Sequence, residues 1–469
     1  MEMAESSGRS LIIIGAGMAG IKLAHTCLHN DPEMKITILE ANDYIGGRVR
    51  NFEFDGYTVE MGANWISGLT KTYNNPIWKL AQDVHLCGHF SDRANSRAIY
   101  VTDSQGNDIT KEYLESVDRF DRIYKMAVQA CAKRDMTAQN DVTVRSLLEE
   151  FGWKANELNA IDRLVEFNLL EVWISDDLKR LGASHNMVEG ANDVDLGKEE
   201  FFVEDPRGFN CIMRGMVDDI KNRGGAVIKL GTQVLKVQYA PGDVKVTAKD
   251  METGDTIECT ADAVVSTVSI GVLQNGKIEF SPPFPEWKTK ALNAIDMFVF
   301  AKVFAKFQDK FWPDKDQLVI CSEAKGHYPL WMKYRNTDHN LFMCYLGGAE
   351  ARRVESLTTE KIKDEVEELF RNAYDQGQDH GMFRPSAVAV TDWSVNPRFC
   401  GSYSTFPHRA YANIPHLDLT RGLTGTQARE GPITLYFAGE GFDDKFNGWV
   451  QGAYRSGLRV ANSILGISE

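Results

Sequence analysis

Residues 11–40 constrain the fold more than any other stretch of the chain. Leu11-Ile12-Ile13-Ile14 is a short β-branched run that ends in Gly15-Ala16-Gly17-Met18-Ala19-Gly20. Ile21, Ala24, Cys27 and Leu28 then recur at helical spacing as far as a turn at Asn30-Asp31-Pro32. A second strand, Lys35 to Leu39, ends at Glu40, twenty residues beyond the last glycine. The order strand, tight turn, helix, strand, acid predicts a nucleotide-binding βαβ unit. Gly15 permits the turn, Gly17 lets the backbone meet a pyrophosphate, and Gly20 lets helix and strand pack closely. Ala16 and Ala19 complete the turn, and the Glu40 carboxylate is placed to accept both hydroxyl hydrogens of an adenosine ribose. A glycine-rich turn alone occurs in many α/β proteins; its flanking elements make the dinucleotide reading the better one.

Two more backbone-rich segments favour FAD over NAD. Ile45-Gly46-Gly47-Arg48 follows directly, and Glu60-Met61-Gly62-Ala63-Asn64-Trp65 comes shortly after. Each offers amides, and the first a cation, to a long extended cofactor.

The remaining features narrow the function classes. A length of 469 residues suggests two to four structural units and a core able to enclose a sizeable ligand. The net charge of −14, without a basic stretch alternating with aromatics, argues against nucleic acid and leaves open steering of a cationic small molecule. Eight scattered cysteines without zinc spacing suggest reduced thiols and a cytoplasmic setting. The short polar start before Leu11 has no room for a secretory leader, no apolar run reaches the ~18 residues of a membrane span, and Ile467-Ser468-Glu469 is not a peroxisomal address. His85 and His89 flank Cys87, yet no further ligand spacing accompanies them, so no metal is expected.

Two stretches carry candidate chemistry. Met297 to Phe307 alternates as a strand, with Phe298, Phe300, Lys302 and Phe304 on one face and Val299, Ala301, Val303 and Ala305 on the other. An ammonium among aromatics is costly to bury. On the residues alone, an edge-strand lysine that reaches out to solvent is the plainer explanation. Near the C-terminus, Thr434 to Ala438 reads as a strand and Gly439-Glu440 as a turn. Val450, Ala453, Gly457, Leu458, Ala461, Ile464 and Leu465 mark one face of a closing helix. The start of that helix, at Gly448-Trp449-Val450, carries the partial positive charge that would stabilise negative charge on a reduced flavin, if one sits there.

Together these segments resemble the flavin-containing amine oxidase superfamily, and within it the polyamine oxidase branch. The likeness runs the length of the chain. Besides the motifs above it includes Asn75-Pro76-Ile77-Trp78, Arg207-Gly208-Phe209, Gly271-Val272-Leu273, Phe311-Trp312-Pro313, Trp393 with Gly401-Ser402-Tyr403, and Phe437-Ala438-Gly439-Glu440 followed by Asn447-Gly448. The resemblance implies an α/β fold: a Rossmann-like FAD-binding domain (GR2-type) assembled from residues 1–85, 205–285 and 388–469. An α+β substrate-binding domain, with a mixed sheet flanked by helices, would take residues 86–204 and 286–387. The periodicities agree, with strands at Ala226 to Leu230, Gln233 to Tyr239, Val244 to Ala248 and Ala263 to Thr267. Helical periods run through Val144, Leu147, Leu148, Phe151 and through Leu164, Phe167, Leu170, Glu171.

The resemblance also implies roles. Lys302 matches the lysine that holds a water beside flavin N5, which reverses the solvent-facing reading. Tyr403 and Trp449 match two rings set upright on the flavin face as guides for the amine, with Trp65 and Phe300 at the substrate. Trp393 would stack near the flavin and Val234 would meet the adenine through its backbone. Gly47, Arg48, Gly62, Ala63, Asn64, Gly439, Glu440, Gly448 and Val450 would complete the FAD site. Of two acidic positions that hold distal ammonium groups in polyamine oxidases, the first is Ser67 here, without charge, and the second falls at Glu171. Asp176-Asp177 and Asp443-Asp444 are more simply read as solvated surface pairs. The residues before the closing helix, Gly441-Phe442-Asp443-Asp444, lack the cysteine to which relatives attach flavin covalently.

The implied activity is oxidation of a secondary amine of spermine, spermidine or thermospermine. A hydride passes to flavin N5, the iminium is hydrolysed, and dioxygen is reduced to hydrogen peroxide by a monomeric enzyme. An L-amino acid oxidase, desaturase or isomerase of the same superfamily is the alternative; a scaffold retaining FAD as structure is a second, for which the chain leaves no room for added modules.

Overall fold

In a computed structural model of the chain, the residues described are 9–70, 73–92, 99–134, 140–174, 176–187, 199–334, 340–375, 380–408, 410, 416–426 and 428–467. The polar start before Arg9 and the terminal Ser468-Glu469 fall outside them.

The β-branched run of the first motif becomes Ser10–Ile14, the central strand of a five-stranded parallel sheet. Its order is Leu435–Phe437, Ala263–Ser266, Ser10–Ile14, Lys35–Leu39, Ala226–Lys229, so one layer draws strands from both ends and the middle of the chain. A central parallel strand must be apolar on both sides. Leu11 and Ile13 pack towards the helices, whereas Ile12 and Ile14 pack towards the second layer. The helices are Met18–Asn30 and Val450–Leu465, which cross where Gly457 leaves no room for a Cβ against the Ala19 carbonyl. The second layer is the four-stranded sheet Thr256–Ala261, Asp243–Asp250, Thr232–Ala240, Glu279–Ser281.

The other large sheet has six strands, ordered Ala387–Val390, Phe300–Lys306, Leu341–Gly347, Leu330–Lys333, Gln317–Cys321 and Ile99–Asp103. It is mixed: Gln317–Cys321 runs parallel to Ile99–Asp103, and the remaining pairs are antiparallel. Helices Gly348–Glu355 and Thr359–Tyr374 cover one face, and the cluster containing helices Thr110–Lys133 and Val144–Glu150 covers the other. A small sheet pairs Trp65-Ile66 with Glu199–Val203 and that strand with Gly88–Asp92. The architecture is thus a Rossmann-like α/β unit of discontinuous strands joined to an α+β unit with a mixed sheet flanked by helices.

The stretch 297–307 differs from the single strand that its alternation suggests. The chain leaves one sheet for another at Val299: Asp296–Phe298 pairs with Tyr403–Thr405, and Phe300–Lys306 lies inside the six-stranded sheet. The alternation of faces survives the break, with Val299, Ala301, Val303 and Ala305 in one core cluster and Phe298 and Phe304 in another. Lys302 is therefore on an interior strand and only 2% exposed, which excludes an edge-strand lysine reaching solvent.

Candidate active site

A cavity of about 610 Å³ runs between the two units, from the Gly15–Gly17 turn to the Lys302 strand. At its nucleotide end it is lined by Gly15, Gly17, Ala19, Glu40 and the start of the strand at Thr232, Gln233 and Val234. Glu40 is buried: Oε2 accepts from the Ala16 amide at 2.7 Å, and Oε1 from the amide and side chain of Asn42 at 2.8 and 2.7 Å. These bonds orient the carboxylate, and of its four lone-pair sites the one left, on Oε2, is available to a ribose hydroxyl. Arg398, also in the lining, donates to the Asn42 side chain at 3.0 Å.

Gly46, Gly47 and Arg48 line the cavity together with the first residues of the helix Val450–Leu465. Arg48 donates to the Ser402 carbonyl and to Glu440 Oε1, both at 2.9 Å. Glu440 is buried and also accepts from the Ser404 hydroxyl at 2.6 Å and the Gly448 amide at 2.6 Å. It ties together three loops that close the middle of the cavity. Removing one member of such a buried network leaves the others unsatisfied. Glu440→Ala is therefore expected to cost about 3 kcal/mol of holoprotein stability and to lower the flavin content on purification. Denaturant unfolding together with the ratio of flavin to protein absorbance checks both.

At the far end, burial pulls Lys302 down from the usual lysine range, to about 7, with the Glu60 carboxylate opposing the shift. Its Nζ donates to the carbonyls of Glu60 and Gly62, each at 2.7 Å, and to Asn64 Oδ1 at 3.0 Å. Three acceptors match the three hydrogens of an ammonium, so geometry and desolvation act in opposite directions on its proton. Glu60, fully buried, is pushed up by desolvation against the Phe209 amide, which donates to it at 2.6 Å, and against Lys302.

Beside Lys302 the wall is aromatic. Phe300 lies 5.3 Å from Tyr345 and 6.0 Å from Trp173, and Phe298 meets Tyr403 edge-on at 5.8 Å between ring centroids. Tyr403 donates its hydroxyl to the Trp173 carbonyl at 2.6 Å, and Trp65 Nε1 donates to the Tyr345 hydroxyl at 3.1 Å. Trp449, 37% exposed, stands at the rim. His185 also lines the cavity, and burial takes its imidazole down to about 4 despite a hydrogen bond to Asn447.

The structure brings together Lys302, Tyr403, Trp449, Trp65, Ser67 and Phe300 with Gly15, Gly17, Ala19, Glu40, Gly47, Arg48, Gly62, Ala63, Asn64, Val234, Trp393, Gly439, Glu440, Gly448 and Val450, all on the cavity wall. Ala16, Gly20 and Glu171 are not on it. Ala16 and Gly20 act from behind: the first donates to Glu40, and a Cβ on the second would overlap the Gly15 carbonyl.

Glu171 is not on the cavity wall, where the resemblance placed it. The helix Ala160–Glu166 widens into a π-turn over Phe167–Glu171, which breaks the 3.6-residue phase. Phe167 and Leu170 stay in the core while Glu171 turns to Lys325 Nζ at 2.7 Å and to Arg145 at 3.9 Å. Burial raises its carboxyl, with Lys325 opposing. Trp173 and Ile174 line the cavity instead. Asp443 is likewise no solvated surface residue: it is buried and pairs with Arg455 at 3.0 Å.

The residues present fit a flavin dinucleotide: a ribose acceptor, two helix N-termini (Met18 and Val450) and a glycine-lined passage all line one cavity. Fold and site define a dinucleotide-binding flavoprotein oxidoreductase with FAD as its cofactor. The chain belongs to the flavin containing amine oxidoreductases, whose family model matches residues 18–465. It is 28% identical to polyamine oxidase 1 of Zea mays over 100% of this chain and 92% of the maize protein. It is 27% identical to lysine-specific histone demethylase 2 of Homo sapiens, over 97% of this chain but 53% of that protein. The solved structure of wild-type putrescine oxidase bound to putrescine superposes with a TM-score of 0.71 at 16% identity, covering 98% of this chain and 99% of that one.

Proposed function

We propose that the protein is an FAD-dependent polyamine oxidase that oxidises a secondary amine of a spermine-, spermidine- or thermospermine-type substrate. The observation that carries this reading is the buried Lys302 amine, fixed by three acceptors between the flavin cradle and an aromatic slot. Bound FAD supplies the hydride acceptor and passes the electrons to dioxygen, giving hydrogen peroxide.

The chain's own residues then have separable tasks. Tyr403 and Trp449 guide the amine, Phe300 and Trp65 exclude water from it, and Lys302 holds a proton at Nζ. The full-length likeness to polyamine oxidases of maize and of Oryza sativa supports this substrate class. An amino acid substrate needs an arginine to clamp its carboxylate beside the slot. The two arginines on the wall, Arg48 and Arg398, are instead engaged by Glu440 and Asn42 in the cofactor half. A cytoplasmic setting belongs to the same reading and is supported by eight unpaired cysteines.

Oxygen uptake with coupled peroxide detection tests the proposal. Spermine, spermidine or thermospermine is expected to sustain turnover and a panel of L-amino acids to give none. Turnover with an amino acid and none with any polyamine overturns it.

A further inference from the structure

Glu60 is a buried carboxyl for which neither the cofactor cradle nor the aromatic slot has a use. It ends the strand Tyr57–Glu60, is 3% exposed and does not line the cavity. The motif Arg207-Gly208-Phe209, also off the wall, serves it: Gly208 turns the chain at φ +78°, and the Phe209 amide donates to Glu60 Oε1 at 2.6 Å. Among the described residues Oε2 has no hydrogen-bond partner. A carboxylate this deep with one neutral donor needs a cation nearby or a proton of its own.

Lys302 supplies the cation. Its Nζ donates to the main-chain carbonyl of Glu60 itself, and its other two hydrogens go to Gly62 O and Asn64 Oδ1. The Glu60 carboxyl therefore acts on the amine through space, inside the protein, where charges are weakly screened. The groups around the pair are engaged elsewhere. Asp205 is held by Arg207 at 2.7 Å, and Glu204 pairs with His89 at 3.1 Å. Burial raises the Tyr334 phenol and the Cys211 thiol, which leaves both neutral. Tyr345, across the ladder from Lys302, accepts from Trp65, and Glu355 reaches Lys302 only on its backbone side, through Thr391 Oγ1.

We propose that Glu60 is a positioning residue that acts through Lys302: the two buried groups gain and lose protons as one unit, and the Glu60 carboxylate decides at which acidity Lys302 is charged. This rests on the amine oxidase reading and deepens it. Burial by itself drives a lysine towards the neutral amine. The carboxylate opposes that and holds the titration of Lys302 at about 7. Lys302 thereby changes charge within the neutral range, a property that an uncharged side chain at residue 60 would take away.

The test follows two signals against pH in the wild-type and Glu60→Gln holoproteins. One is the rate at which spermine reduces the flavin without oxygen; the other is the absorbance of the oxidised flavin without substrate, which responds to a change of charge beside it. In the wild type both are expected to titrate with a midpoint at about 7. Glu60→Gln keeps an acceptor for the Phe209 amide and loses the charge, so both midpoints are expected to fall by about one to two pH units. In a Lys302→Met background the same change is expected to leave the rate profile unaltered, because the carboxylate has no amine left to act on. Midpoints that stay in place in folded Glu60→Gln overturn the proposal while leaving the amine reading standing. So does a loss of rate that is equal at every pH and persists in the Lys302→Met background, the mark of packing alone. If Glu60→Gln does not fold, the coupling is read from its other partner. Removing the lysine charge must raise the pH at which Glu60 ionises, so in Lys302→Met the infrared band of a protonated carboxyl is expected to persist to higher pH than in the wild type; an unmoved band overturns the proposal. If no polyamine reduces the wild-type flavin, the amine reading falls, and the absorbance titration decides the pair by itself.

Discussion

Lys302→Met is expected to slow reduction of the bound flavin by amine by about 100- to 1,000-fold while leaving FAD bound. The contacts justify the separation. Nζ reaches the Glu60 and Gly62 carbonyls and Asn64 Oδ1, so its loss removes a polar group from the reacting end, whereas the Gly15–Gly20 turn, Glu40 and the helix start at Val450 are untouched. The pH profile gives a second readout. A substrate that loses a hydride becomes cationic, and a nearby ammonium opposes it. Desolvation brings Lys302 to about 7, so in the wild type the reduction rate is expected to rise with pH through the neutral range. The midpoint of that rise belongs to Lys302 and Glu60 as a pair. In Lys302→Met the neutral limb is expected to vanish, leaving only titration of the substrate amine. Rapid mixing without oxygen over pH 6–9 measures both effects; a variant as fast as the wild type refutes the role.

Gly62→Ala is expected to abolish flavin binding, and for a steric reason. A Cβ at residue 62 would overlap the Arg48 carbonyl oxygen, and the Arg50 amide would be 3.3 Å away. Neither backbone atom can move alone: the Met61 and Ala63 amides donate to the Arg50 and Arg48 carbonyls at 2.8 and 3.1 Å. The segments must therefore separate, carrying Gly62 O away from Lys302 and Arg48 away from Glu440. Overpacking of this kind typically costs 1–3 kcal/mol, and here it also opens the cofactor passage. The expected product is colourless or largely unfolded. A yellow Gly62→Ala protein with a wild-type melting midpoint contradicts the close packing.

The parts of this molecule legible in the sequence are those encoded over short distances. The turn at Gly15–Gly20 and the acid at Glu40 lie within one βαβ unit, where spacing alone fixes their relation. The alternation around Lys302 assigned faces correctly even though the chain changes sheets at Val299, because the period of two continues through the break. Depth did not follow from that alternation: whether Lys302 lies on an edge depends on strands contributed by Leu341–Gly347 and Ala387–Val390.

Glu171, which the resemblance set at the substrate end, lies off the cavity wall and pairs with Lys325. A π-turn adds a residue to one helical turn and shifts the phase, and nothing in Phe167 to Glu171 marks it in composition. Tyr345, Trp173, Arg398, Glu60 and Glu200 escaped sequence reasoning for the opposite reason, since each acquires its place through a partner far along the chain. For Glu200 no periodic signal was present: Glu199-Glu200-Phe201-Phe202-Val203 does not alternate, and only its antiparallel register with Trp65-Ile66 sets the acid beside Ser67. Glu440 was legible as part of the cofactor site, yet its side chain mainly ties protein loops to one another.

The most direct measurement is the visible spectrum of the purified holoprotein in the absence of oxygen, before and after adding spermine. The account predicts an oxidised flavin spectrum that bleaches with spermine and returns on admitting air. A protein that carries no flavin, or a flavin that no polyamine bleaches, would contradict it.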